Sequence, residues 1–219
     1  MKLPNAILKV TLLIVFPLFA WAGVLPVLNP SFEILPTGGL NSTSCTQPCS
    51  YSVGEAIPDW TSSDPTNAGD GEFQPGSPTN TAYFNVLASG PTSAYTTGAT
   101  LSQVVGTVTP DFTYTLTVAI GDNKYDSFDG SAALLINGVT YLATGTAPTS
   151  GNWSTYTATY VGQVADSGDP ITIELLASGK QGNFDNVSLT DVVPEPAFGG
   201  LVAASLIGLF GWQRRKRAR

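Results

Sequence analysis

The chain has 219 residues, 42% of them apolar and 11% charged, with 23 Gly, 16 Pro, two Cys and no His. That composition allows a sizeable core and excludes a chain disordered by composition. The net charge is −7 overall, but between Gly23 and Val193 only Lys124 and Lys180 stand against fifteen acids, a net −13 without any Arg, which excludes a nucleic-acid partner.

In chain order, residues 1–22 read as a signal peptide: Lys2 and Lys9 are the positive region, Val10 to Ala20 the apolar region, and Ala20-Trp21-Ala22 a small-residue cleavage site. Export implies an oxidising compartment, in which Cys45 and Cys49 could pair and pin a short loop. A metal or redox pair is the alternative, although two Cys without His make a poor zinc site and the spacing is not C-x-x-C. From residue 23 to 192 the chain reads as one β domain, because short runs alternate with period two between Gly, Pro, Asn and Asp clusters. Strands are expected at 24–34, 81–88, 100–105, 113–120, 131–136, 155–160, 171–177 and 184–190. Residues 38–52 should form a long surface loop, and Asn137-Gly138 signals a tight hairpin. Eight or so strands of this kind predict an all-β fold, an antiparallel two-sheet jelly-roll sandwich.

Ala197 to Trp212 is uncharged and is followed by Gln213 and a basic cluster, Arg214, Arg215, Lys216 and Arg217, which reads as a membrane helix with a positive stop. At about 1.5 Å per residue it reaches about 24 Å, short of a bilayer core. Before it stand Val193, Pro194, Glu195 and Pro196. This order resembles the PEP-CTERM sorting signal over residues 193–219. The resemblance implies a Gram-negative bacterium, Sec export, transient residence in the inner membrane, processing by an exosortase, and delivery to the cell surface or an extracellular, biofilm-type matrix.

Two further phrases, Leu28 to Pro36 with Ile57 to Trp60, and Gly182 to Leu189, resemble the galactose-binding-like jelly rolls, which include many carbohydrate-binding modules. In those modules the two equivalent acids help hold a structural calcium, so the resemblance carries that role to Glu33 and Asp185. Strand parity adds a hint, since it places Asp185 on the face of Val187 and Leu189, where a carboxylate needs a partner. Calcium suits such oxygen ligands, and a hydrogen-bonded carboxylate at a frayed strand start is the plainer account.

Catalysis is poorly provided for, with no His, no Arg clamp, no nucleophile elbow and no phosphate loop. Tyr125 and Phe128 in the acidic loop 121–130, and Trp153, are candidates for sugar platforms, or else core anchors. Trp60 and Gln103 read as core. The sequence therefore predicts a non-catalytic exported surface protein that binds exopolysaccharide, with an adhesive protein-binding role as the alternative.

Overall fold

The computed structural model describes residues 22–76 and 82–193. Apart from Ala22 and Val193, the expected signal peptide and the sorting segment with its helix and basic tail lie outside the described residues. Among the described residues no helix is long and apolar enough to cross a membrane.

Twelve strands are present among these residues: β1 (Ala22–Leu25), β2 (Ser50–Tyr51), β3 (Thr61–Ser62), β4 (Asp70–Gln74), β5 (Ser93–Thr96), β6 (Thr100–Thr107), β7 (Thr113–Asp122), β8 (Gly130–Ile136), β9 (Val139–Leu142), β10 (Asn152–Val161), β11 (Pro170–Ala177) and β12 (Gly182–Val192). All pairs are antiparallel. One sheet runs β10-β7-β12-β5-β4-β2, with β1 also on β12, and the other runs β3-β6-β11-β8-β9. The long β12 organises the first sheet: β7 pairs along one edge, while β5 takes the first half of the other edge and β1 the second.

The alternation in β7 places Tyr114, Leu116, Val118 and Ile120 in the core and half-exposes Thr113, Thr115, Thr117 and Ala119. The same period brings Leu134, Ile136, Ile171, Ile173 and Leu175 of the second sheet against them, so the two sheets share one apolar interior. Asn137 and Gly138 both adopt positive φ, 49° and 74°, and close the β8–β9 hairpin as their side chains permit.

Three expectations are corrected. Residues 82–88 form a loop, because this segment lies across the outer face of the first sheet and spends its polar groups there: Asn85 N–H donates to Gly151 O, and Val86 O accepts from the Trp153 indole. Of the run 24–34 only the start is strand; from Val27 onward the chain turns to cover the core, with Asn29 and Phe32 at positive φ. Lastly, β12 carries a bulge between Asp185 and Ser188, with Asn186 at φ 49°. Parity breaks there, so Asp185 pairs with Ala119 on the outer face while Leu189 pairs with Leu116 over the core.

Candidate functional site

The outer face of the first sheet is itself apolar, which a half-solvated sheet does not require. Phe73 from β4, Tyr95 from β5 and the loop residues Tyr83 and Phe84 are buried together, with Tyr51 and Trp153 packed beside them. Register explains the grouping. Residues opposite one another in a ladder share a face, and Trp153, Gly121, Asn183, Tyr95 and Gly71 form one row across five strands. Two of the five are glycines, and neighbouring groups occupy the space their side chains would take. A Cβ on Gly121 would stand 2.8 Å from the Trp153 ring, and one on Gly71 would stand 2.7 Å from Ser52 Oγ.

Beside this row, reaching it at Tyr95, opens a cleft of about 390 Å³ lined by Tyr51, Phe73, Tyr83, Tyr95 and Tyr125, with Asp126, Gln181 and the edge of the 44–46 loop. Three rings interlock edge to face: Phe73 with Tyr83 at 5.1 Å, and Tyr83 with Tyr125 at 5.1 Å. Two of the hydroxyls are turned away from chemistry. Tyr95 Oη donates to Ser52 O at 2.8 Å, and burial pushes this phenol well above its ordinary range. Tyr83 Oη accepts from Gln47 N at 3.0 Å and donates to Gln47 O. What these side chains offer to the cleft is therefore their ring faces. Cys45 and Cys49 are joined as a disulfide that closes the loop bearing Gln47.

Two residues along β12 from Asn183, Asp185 is 1% exposed beneath the loop 85–92. Its Oδ2 accepts from Ser89 N and its Oδ1 from Asn186 N, both at 2.7 Å. Burial, against these hydrogen bonds and reinforced by the nearby charge of Glu33, pushes its carboxyl up to about 7. Glu33 is exposed and takes Thr92 N at 3.0 Å and Thr92 Oγ1 at 2.9 Å. On the opposite, core-side face of β4, Asp70 and Glu72 are fully buried, and Asp70 Oδ2 and Glu72 Oε2 have no hydrogen-bond partner.

Glu33 lies close enough to Asp185 for its charge to be felt there, and Asp185 sits on the outer face rather than among the core residues of the strand. Tyr125 lines the cleft. Trp153 does not: its ring lies over Gly121 and against Phe84 at 4.7 Å, and its indole N–H is bound to Val86 O. Phe128 packs against the inner core near Tyr156. Trp60 is buried against Phe32 at 5.4 Å, and the Gln103 amide bridges Leu28 and Asp59. Tyr51, Phe73, Tyr83, Tyr95 and Gln181 were missed because they sit on short strands and loops whose period is too brief to read. The one available signal was β4, Asp-Gly-Glu-Phe-Gln, where an acid pair alternates with a glycine and an aromatic ring.

A family model described as HpiC1-like, HpiC1 cyclase, matches residues 24–190. Among solved structures, the chain is similar to the Stig cyclase Fisc from Fischerella sp. TAU, solved in complex with (3Z)-3-(1-methyl-2-pyrrolidinylidene)-3H-indole: 23% identity, TM-score 0.63, 78% of this chain and 98% of that one. It is also similar to an apo cyclase from Fischerella sp. at 21% identity and TM-score 0.62, over 78% of this chain and 96% of that one. No curated protein matches. The family match corrects the resemblance drawn from the two end motifs. It replaces a PEP-CTERM surface protein with a carbohydrate-binding-type jelly roll, and with it the non-catalytic, exopolysaccharide-binding or adhesive matrix role, by a cyclase family. The correction has a physical reason: His, Arg and nucleophile motifs mark only some kinds of catalysis, and a site built from aromatic faces carries none of them.

Proposed function

The chain belongs to the HpiC1-like family, and from that premise we propose that it is a cyclase that closes a ring on an indole-type heterocycle carrying an unsaturated side chain. The observation that carries this reading is the cleft, which lies within the matched span and combines five aromatic side chains with one carboxylate, Asp126, and no basic side chain in its lining. Ring closure by attack of a π-bond on an activated heterocycle develops positive charge. Aromatic faces attract such charge electrostatically, by about 0.5–2 kcal/mol each when water is excluded, and the fixed rings need not reorganise as the charge forms. With Tyr95 and Tyr83 tied back through their hydroxyls, neither serves as a base. Asp126, held by Asn123 Nδ2 at 3.1 Å, is the lining group suited to take the proton released when the cation collapses. The non-sequential strand order of both sheets further supports reading the fold as a jelly roll.

The same proposal assigns a calcium ion to Glu33 and Asp185. The donor set fits: two carboxylates close enough for the charge of one to be felt at the other, oxygen ligands only, with Asp185 held up near neutrality chiefly by its burial. Among the described residues no group of three or more His, Cys, Asp or Glu gathers for a metal, so carbonyls and water would complete the shell. When bound, the ion supplies positive charge that neutralises both carboxylates. The chain's own contribution is to bring the loops at Glu33 and Ser89 onto β12 beside the cleft.

The test is a titration with the indole compound bound by the Fischerella cyclase. The protein is expected to bind it saturably, and Tyr95→Ala and Phe73→Ala to weaken binding about tenfold or more. Equal affinity in the folded variants would place the ligand elsewhere and contradict the assignment of the cleft.

A further inference from the structure

Tyr83 stands at the centre of the ring cluster: its ring meets both Phe73 and Tyr125, and all three line the cleft. Its hydroxyl accepts from Gln47 N at 3.0 Å and donates to Gln47 O at 3.3 Å, so one phenol takes both backbone groups of a single residue 36 positions away. Gln47 lies on a segment without regular structure. Ser42 pairs with Tyr51 in an isolated bridge, and the Asn41 side chain bonds both backbone groups of Val53, which closes the base of the loop. Residues 43–49 form neither strand nor helix.

The Cys45–Cys49 disulfide is the covalent link across this upper part of the loop, with Gln47 at its middle. A ring of so few residues restrains the unfolded chain less than a long one would, so its main effect is local: it fixes where the Gln47 backbone stands. The bridge is also placed against the site itself. Cys49 is buried in the same cluster as Phe73 and Tyr83, and Cys45 lines the cleft. Reductant has a route to it, because Cys45 is half-buried and both cysteines line a surface groove of about 630 Å³ together with Thr43, Gln47 and Gln74.

We propose that the Cys45–Cys49 disulfide is a redox latch on the cleft: oxidised, it holds the Gln47 backbone against the Tyr83 hydroxyl and fixes the central ring; reduced, it releases both and weakens the binding of an aromatic ligand. This rests on the cleft reading above and adds its regulation. The partner in the redox step is a dithiol. Its thiolate attacks one sulfur, the S–S bond breaks, two cysteine thiols form, and the dithiol closes to its own disulfide after giving up two electrons and two protons. Affinity falls because a ligand that must immobilise a loosened ring loses part of its binding energy to that ordering.

The experiment follows the tyrosine-ring resonances of the intact, isotopically labelled chain, with the Tyr83 signal assigned through Tyr83→Phe. The indole compound bound by the Fischerella cyclase is titrated before dithiothreitol, after it, and again after reoxidation. Reduction is expected to move the Tyr83 signal, to lower affinity about tenfold and to leave the far-UV circular dichroism unchanged, and reoxidation to restore signal and affinity. Tyr83→Phe keeps the ring and the disulfide but lacks the hydroxyl, so it should bind as weakly as the reduced wild type and show no response to dithiothreitol. If reduction unfolds the chain, the oxidised variant still decides: wild-type affinity in Tyr83→Phe would overturn the latch. So would an unmoved Tyr83 signal with equal affinity in the oxidised and reduced chains. An oxidised chain that binds no indole, while its Tyr83 signal still moves on reduction, would overturn the cleft reading and uphold the hold of the disulfide on Tyr83.

Discussion

Glu72 is fully buried on β4, with one carboxylate oxygen bound to Asn29 Nδ2 at 3.3 Å and the other without a partner. Burial, together with the charge of Glu33, pushes its carboxyl up to about 7. An acid whose folded-state pKa lies above its unfolded value binds more protons in the folded state. The stability it contributes is present below about pH 4.5 and is lost as the pH rises through about 7. Asp185, also held up at about 7, acts in the same direction when no cation is bound. Glu72→Gln keeps an acceptor for Asn29 and removes the buried charge. Its melting temperature should exceed that of the wild type at pH 8, by the equivalent of roughly 1–2 kcal/mol, and should match it at pH 4. A gain that persists unchanged at pH 4 would show that charge is not the cause.

The bulge in β12 is the element that makes the site. Were the ladder unbroken through Asn186 and Val187, Asp185 and Leu189 would share a face and the carboxylate would enter the core. The positive φ of Asn186 fits a residue that tolerates the left-handed region. Asn186→Gly should change stability in urea by less than about 1 kcal/mol, whereas Asn186→Val should lose roughly 1–3 kcal/mol and weaken ligand binding; equal effects of the two would remove the backbone argument. The long strands β7, β10 and β11 were legible because eight or more residues of strict alternation can be read without a partner. So was the Asn137-Gly138 turn. The bulge was not, since period-two reading assumes an unbroken ladder and a single inserted residue reverses every side chain after it. Strands β2 to β5 are too short to show a period, and through Tyr51, Phe73 and Tyr95 they build the cleft, so the fold was more readable than the site.

For the whole molecule, the two faces of the first sheet divide the work. The inner face meets the second sheet in a continuous core, and the outer face holds a smaller aromatic cluster beneath the loops at 43–50 and 82–92. Net charge between Gly23 and Val193 is −13, which favours cations both as bound ions and as developing charge in the cleft. If Glu33 and Asp185 share calcium, saturating calcium should raise the melting temperature at pH 7.5 by an amount that grows with its concentration, and Asp185→Asn should abolish that dependence. A melt indifferent to calcium and to chelator would remove the ion from the account.

The most direct test of the central claim is incubation of the calcium-loaded chain with an indole bearing an alkene side chain, followed by separation of products of unchanged mass. The account predicts an isomer with one fewer carbon–carbon double bond and one more ring, formed by the wild type and sharply reduced by Tyr95→Ala and Asp126→Asn. Return of the indole unchanged, or ring closure that proceeds equally well in both variants, would contradict it.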